Sequence, residues 1–583
     1  IRLDVGGDWV VLETACASQR TSSSYDAISI LVRTWFKIGS GDAPEAVAQR
    51  VQAKIAEIDA SLLSCMPAIL SLLDVKSEDL DWQGLDPVQR RQKVGEAVRA
   101  LVLAQARAAP LLILVEDVHW ADTETMLVLD RLSAALDDVP LLIVTTSRPE
   151  NGAAVPLGPD QPRLMLSPLD AAAAGQLLDW LMGADIGLVQ LKRRLLAQAQ
   201  GNPLFLEELV RSLEEANVLE GERGGYHLGK PAEHIDIPKT IQSVLAARID
   251  LLDGMPRTVL QTAAIIGKDV PVDLLSRMVD IPAPQLAAQL ALLEAADLVY
   301  PVTTTAGAEY SFKHELTREV AYNTVLIARR RTLHSRVVQI IEANFANRLD
   351  EHVDRLAEHA YSGELWEKAV PYQLRSARRA MRRWANHEVI RIVERGLETL
   401  SHLPDSADKW RAAIDFRLAA VIALEPLGRH RRIAAVLSEA STLTQAADDT
   451  RRTAGVNCQL AVALWRLGNH GAAMAAAEAA YDIANKIGNT PLSFAALHNI
   501  GIIHHETGAF KKAVEVHRRC QALITPDIDA KREGWASYPS VTLHTFLADS
   551  LLELGEIAEA EATAEKAVRL ADAVNHAYSR SFI

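Results

Sequence analysis

Residues 111–122 read LLILVEDVHWAD: five apolar residues run into two adjacent acids, Glu116 and Asp117, and then a His-Trp pair. A run without polar alternation is buried on both faces, as in a parallel strand covered by helices. WVVLE at 9–13 and LLIVTT at 141–146 read the same way, with helical stretches between them. The expectation is a parallel sheet under helices. In open α/β sheets, ligands occupy the crevice beyond the carboxyl ends of the strands, and Glu116 and Asp117 fall at such an end.

The 583 residues around this stretch are too many for one core; at roughly 100–200 residues per domain, several domains are expected. Apolar residues make up 49% and aromatics 5%, with Ala and Leu crowding the second half, the composition of packed helices. A formal net charge of −14 argues against a nucleic-acid partner unless a local basic surface overrides it. Cys16, Cys65, Cys458 and Cys520 are far apart with no CxxC pair, which suggests neither a zinc site nor a disulfide framework and fits a reducing cytoplasm. No apolar run approaches the roughly 18 residues that span a bilayer, and no signal peptide opens the chain, so no membrane partner is expected. The chain lacks an initiator Met and ends without a helix stop signal, and reads as a fragment cut at both ends.

Four regions follow. Residues 1–155 form the α/β core. After a Pro/Gly-rich break, ENGAAVPLGPDQP (150–162), residues 156–232 are helical from about 165 and contain GNPLFLEELVRSL (201–213). In 233–348, helices enclose a strand-turn-strand, DLVYPVTTTAGAEYSFKHEL (297–316), the outline of a winged helix-turn-helix. In 349–583, Gly428, Gly468 and Gly508 recur every 40 residues (468 − 428 and 508 − 468), and Gly555 follows after 47 (555 − 508). Ala473, Ala513 and Ala560 each lie five residues beyond one of these glycines. A turn needing Gly and a helix packing through a small side chain describe a helical-hairpin solenoid of the tetratricopeptide kind, its period longer than the usual 34 or so. The fold class is therefore multidomain and mainly α: a partial α/β core, a helical lid, a winged helix and an α-helical solenoid.

The acids at the end of 111–116 suit phosphoryl-transfer chemistry. One carboxylate can hold magnesium through water while its neighbour orients a water, because that reaction needs positioning and charge neutralisation above all. The plainer alternative is that Glu116 and Asp117 cap the next helix or sit in a surface loop. LLIVTTSRPE (141–150) brings Thr145, Thr146 and then Arg148 to the same sheet edge, where a guanidinium can read a terminal phosphate or pair with the acids. Separately, Arg375, Arg378, Arg379, Arg382 and Arg383 share one helix face, either a dock for an acidic partner or a solvated face neutralised by a neighbouring helix.

Taken in order, LLILVEDVHWAD, LLIVTTSRPE and GNPLFLEEL resemble the Walker B, sensor 1 and GxP motifs of STAND-class NTPases. The resemblance implies ATP or ADP with Mg2+ as cofactors. Glu116 becomes the metal-side acid and Asp117 the catalytic or water-orienting acid, although the order Glu-Asp, not the commoner Asp-Glu, leaves the roles within this metal-binding pair open. Thr146 and Arg148 would face the phosphates, and Gly201 to Pro203 would turn against the adenine. YSFKHELTREVAYNTVLIARRRTLHSRV (310–337) is similar to the winged-helix segment of this family, and makes His314 the candidate to approach the β-phosphate; a packed or solvent-facing His is the alternative. No GxxxxGK[ST] phosphate loop occurs; Gly267 and Lys268, in IIGKDVP (265–271), read as a turn. By the resemblance that loop lies just upstream of Ile1, and without it tight ATP binding is not expected of this fragment.

Nearly the whole chain resembles large bacterial proteins that join a class III adenylate/guanylate cyclase to a STAND module and tetratricopeptide repeats. The implied function is an ATP-dependent signalling switch, an ATPase when complete, whose repeats take a protein partner or small ligand and whose output is a cyclase domain outside this stretch. Two alternatives stay open: a LuxR-type transcriptional regulator module with its DNA-binding domain elsewhere, and a tetratricopeptide scaffold with an inactive NTPase.

Overall fold

The computed structural model describes residues 9–16, 25–39, 42–79, 81–82, 85, 87–134, 139–148, 162–229, 237–304, 307–382, 385–444, 446–531, 538–573 and 579–580. The break expected at 150–162 lies almost wholly outside them, as does Arg383. The chain divides into two compact units, Ile1–Pro159 with Trp366–Ile583, and Asp160–Leu365. The regions expected as lid and winged helix thus fall within one unit.

In the first unit, β1 (Val10–Ala15) is followed by α1 (Asp26–Trp35), α2 (Pro44–Asp59), α3 (Met66–Leu72) and α4 (Pro87–Ala108). Then come β2 (Leu111–Glu116), α5 (Thr123–Ser133) and β3 (Leu141–Thr145). The three strands form one parallel sheet in the order β1-β2-β3, with Ala15 opposite Glu116 and Val115 opposite Thr145. Leu111 to Val115 are all buried, and Leu111, Ile113 and Val115 share a core with Ile28, Val32, Val98, Leu101 and Leu129 from the helices. Each such side chain contributes on the order of 1.5–3 kcal/mol on burial, which explains why a strand this apolar needs cover on both faces.

The stretch Pro44–Leu72 has a mean hydropathy of 1.5 in its most apolar window and is long and apolar enough, by composition, to cross a membrane. Polar residues punctuate it, so it contains no long uninterrupted apolar run. A 3-10 turn at Ala60–Cys65 interrupts the run, and Val51, Ile55 and Ile69 lie fully buried in the sheet core.

The second unit opens with an extended segment, and its helices start at Ala171, later than the periodicity suggests: α6 (Ala171–Met182), α7 (Val189–Ala199) and α8 (Pro203–Glu215). A short hairpin, β4 (Leu219–Glu220) with β5 (His227–Leu228), closes this group. Next come α9 (Ile241–Leu251), α10 (Met255–Ile266), β6 (Asp269–Pro271), α11 (Val272–Val279) and α12 (Ala283–Ala295). The hairpin β7 (Val299–Thr304) and β8 (Gly307–Phe312) precedes α13 (Glu315–Asn323), α14 (Ile327–Asn344) and α15 (Val353–Ser362). Where the sequence suggests two strands, the antiparallel sheet has three, in the order β6-β8-β7. A three-residue strand ending in Pro leaves no alternation to read.

Back in the first unit, α16 (Trp366–Arg382) and α17 (Asn386–Ser401) lead into a helical array. It continues with α18 (Ala407–Leu424), α19 (His430–Leu443), α20 (Thr450–Arg466), α21 (His470–Lys486), α22 (Thr490–Glu506) and α23 (Phe510–Leu523). After the short α24 (Pro526–Lys531), α25 (Pro539–Glu553) and α26 (Ile557–Ala573) end it. The inserted α24 accounts for the longer interval to Gly555. Gly468 has φ 75° with open space where a Cβ would be, so it is the left-handed turn after α20 that requires glycine there. Ala473 and Ala513 are fully buried and Ala560 nearly so, the close helix contacts their spacing predicts.

Candidate functional site

Because the sheet is parallel, all three strands deliver their carboxyl ends to one edge. There Glu116 is exposed and Asp117 half-buried. Asp117 takes a left-handed backbone conformation, φ 54°, which Asp tolerates better than most residues. Its N–H donates to Thr146 Oγ1 at 2.9 Å, and the Val118 N–H donates to the Thr146 carbonyl at 2.9 Å. Thr146 thus fixes the turn that presents Asp117. Arg148 is exposed on the same side, and among the described residues no ion pair joins it to Glu116 or Asp117.

Neither acid caps the following helix. That role belongs to Asp122, whose Oδ1 accepts from the Glu124 and Thr125 N–H groups at 3.1 and 2.9 Å, and from the Tyr25 N–H at 2.9 Å. One carboxylate therefore ties the start of α1 to the start of α5. Glu116 is left to solvent, and Asp117 stays half-buried beside His119.

His119 was not singled out from sequence. Its side chain is 1% exposed, its Nδ1 lies 3.8 Å from Asp117 Oδ1, and neither ring nitrogen has a hydrogen-bond partner among the described residues. Burial lowers its pKa; Asp117 opposes that shift and Arg148 adds to it. One imidazole feels both site charges, and it is neutral at pH 7. Cys16, whose N–H donates to the Glu116 carbonyl at 2.9 Å, has its thiol pushed up to about 12 by burial and by Asp122, Asp26 and Asp117. It is therefore no nucleophile at neutral pH.

Gly201, Pro203 and His314 belong to the second unit. Gly201 has φ 79°, and a Cβ there would collide with the Leu169 carbonyl; its own carbonyl accepts from the Leu169 N–H at 2.8 Å. Asn202 caps α8 through the Phe205 N–H at 3.1 Å, and Pro203 opens the helix where its missing N–H costs nothing. Gly201→Ala is expected to cost about 2 kcal/mol or more, from backbone strain alone before the collision is counted. An unchanged midpoint in urea would contradict it.

His314 sits at the N-cap position of α13 without capping it. Its pKa is lowered by burial and by Lys313 against the opposing charges of Glu208, Asp297 and Glu207. Glu208 and Asp297 belong to a network the sequence did not reveal. Arg248, 2% exposed, donates to Glu208, to Glu215 at 2.6 to 3.0 Å and to the Ala296 carbonyl at 2.7 Å. Burial works against its charge, but hydrogen bonds to Glu215 and the field of Glu208 outweigh it and raise its pKa. Arg211 bonds Asp297 at 2.6 Å, and Lys313 bonds the same carboxylate. The network joins α8 to α9, to Ala296 and Asp297 just past α12, and to Lys313 just past β8.

The near match to a phosphate loop cradles nothing: Gly267 ends α10, and Asp269–Pro271 is β6. Among the described residues no three His, Cys, Asp or Glu side chains are grouped to hold a metal. Magnesium commonly uses one or two carboxylates plus phosphate oxygens and water, a demand that Glu116 and Asp117 fit. On the arginine face, Arg379 pairs with Asp74 at 2.7 Å, so part of it is neutralised within the chain.

The tetratricopeptide repeat family matches residues 449–524 and again 541–573. The helical array carries tetratricopeptide repeats. An uncharacterized protein of Rhizobium meliloti is 28% identical over 369 residues, which cover 61% of this chain and 35% of that protein. The chain thus spans about a third of that relative's length. Among solved structures, a Signal Transduction ATPase with Numerous Domains (STAND) protein with a tetratricopeptide repeat sensor from Pyrococcus horikoshii aligns at 12% identity and TM-score 0.33, over 100% of this chain and 91% of its own. Aspartyl phosphate phosphatase F from Bacillus subtilis aligns at 12% identity and TM-score 0.30, over 59% and 78%.

Proposed function

We propose that the chain is the switch and sensor portion of an ATP-dependent STAND-type signalling protein. The observation that supports this reading most is the shared sheet edge of Glu116, Asp117, Thr146 and Arg148, two uncommitted carboxylates beside an exposed guanidinium. Bound ATP with Mg2+ would supply the cleavable phosphate and its countercharge. Glu116 and Asp117 hold the metal side and orient water, Arg148 senses the phosphate, and Thr146 fixes the Asp117 turn. By the same resemblance, the Gly201–Pro203 turn of the second unit belongs to a lid and is the adenine candidate, and His314, next to a winged helix comprising α10 to α12 and the β6-β8-β7 sheet, is the candidate for the β-phosphate. The repeats bind a protein partner or small ligand on a concave face, as such arrays do. The output regulated is a cyclase domain in cis, and the compartment is the cytoplasm, in keeping with four free cysteines.

The test is Mg2+-dependent ATP turnover by a longer chain that carries the residues encoded before Ile1. Slow hydrolysis, on the order of one turnover per minute or less, is the expected result for a switch; such enzymes run far below the usual 1 to 10³ per second. A folded longer chain that neither binds nor cleaves ATP would replace this reading with a tetratricopeptide scaffold, which the repeat matches at 449–524 and 541–573 favour on their own.

A further inference from the structure

Three consecutive α-helices of the second unit, α13 to α15, meet around a chain of hydrogen-bonding rings. Tyr322 on α13 places its hydroxyl 3.1 Å from His334 Nε2 on α14, and His334 Nδ1 lies 2.7 Å from His359 Nδ1 on α15. Both imidazoles are buried, at 5% and 4% exposure. Val337, Val338 and Ile341 of α14 and Val353, Leu356 and Ala360 of α15 are buried as well. Just past α15, a Cβ on Gly363 would lie 2.8 Å from Ser335 Oγ, so the two helices are in close contact.

A hydrogen bond between two Nδ1 atoms has room for one proton, so one ring donates and the other accepts. Two neutral imidazoles satisfy it, and the Tyr322 hydroxyl serves either tautomer of His334 because it can donate or accept. Two imidazolium rings cannot: each then carries a proton on Nδ1, and two donors face each other across 2.7 Å. A single charge is opposed as well. The charges that act on the rings are Arg330 of α14 and Arg355 and Glu358 of α15, two cations against one carboxylate, while α13 faces them with Tyr322. Among the described residues, α10, α11 and the 3-10 turn Ala346–His352, also packed on α14, add no charge that either ring feels. Burial lowers His334 to about 4, with Glu358 opposing and Arg330 adding; burial, His334 and Arg355 hold His359 well below the ordinary imidazole value. Groups lowered in this way support the folded arrangement fully above their ordinary value of about 6.5, and the support is lost as pH falls from there.

We propose that His334 and His359 form an acid-sensitive latch, which holds α15 against α14 through one shared proton and lets it go when both rings become charged. The helix it frees is the one that leads out of the second unit, which ends at Leu365. The test needs no nucleotide. Backbone hydrogen exchange in the unaltered chain is read peptide by peptide by mass spectrometry at about pH 7.5 and about 5.5, either side of the ordinary imidazole value, and corrected for the intrinsic rate of exchange. An imidazole that is charged only when exposed favours opening about tenfold at the lower pH, so two of them are expected to lower the protection of α15 about a hundredfold. The protection of α12, in the same unit and without histidine, is expected to change by less than about threefold. His334→Gln/His359→Asn keeps side-chain amides toward Tyr322 and across the pair but takes no charge, and is expected to erase the difference between α15 and α12. If that chain does not fold, His359→Asn alone is expected to cut the loss in α15 to about tenfold. A loss of less than about tenfold in the unaltered chain, an equal loss in α12, or an unchanged loss in the variant that folds would each overturn the proposal.

Discussion

Arg248→Met lowers the unfolding free energy of the Asp160–Leu365 unit by about 3–5 kcal/mol, the usual cost of removing one partner from a buried ion pair. The cost comes from the carboxylate left behind. Glu208 is 5% exposed, and its remaining cation, Arg211, stands 3.9 Å away and is already bonded to Asp297. Methionine fills much of the volume but accepts no charge, so Glu208 must be neutralised or dragged toward water. Urea unfolding followed by circular dichroism is the measurement, with Arg248→Met/Glu208→Leu as the companion. The double variant should recover at least half of the loss, because an apolar pair needs no compensation; a loss below about 1 kcal/mol in the single variant would mean that water reaches the network.

Asp117→Asn in the longer, ATP-binding chain is expected to slow hydrolysis by about 10²–10⁴-fold while nucleotide affinity changes little, the range for losing a group that positions or deprotonates the attacking water. Asn is as tolerant of the left-handed backbone as Asp, and the N–H bond to Thr146 is kept, so the turn survives the exchange. Single-turnover cleavage and equilibrium nucleotide binding separate the two effects. Equal cleavage by both chains would move the catalytic role to Glu116.

The sheet was legible because Leu111 to Val115 of β2 hold no polar residue and are buried throughout; β1 carries Glu13 and Thr14, and Val11 and Leu142 of the flanking strands are exposed, so the burial on both faces expected of all three strands holds for the central one alone. The repeats were legible through their turns: Gly468 and Gly508 occupy backbone that other residues avoid, and that constraint survives when the side chains around it vary. The edge acids could be read because their position at the end of a buried run is unusual. What escaped has no periodic signature. Arg248 looks like any helical arginine, and the partners that bury it come from 33 and 40 residues upstream and 48 downstream. Asp122 was hidden by two more conspicuous acids, although Asp followed by Thr-Glu-Thr before an apolar run is a helix-start signal. His119 sits in the quoted motif itself, but no residue pattern tells a buried imidazole from an exposed one.

Successive hairpins of the array touch mainly their sequence neighbours, from α18 through α26. A stack joined this way has no central keystone; each hairpin leans on the next, as planks do in a fence. Loss of one hairpin, by substitution or by cleavage, would then unsettle the hairpins packed against it and leave the distant ones standing.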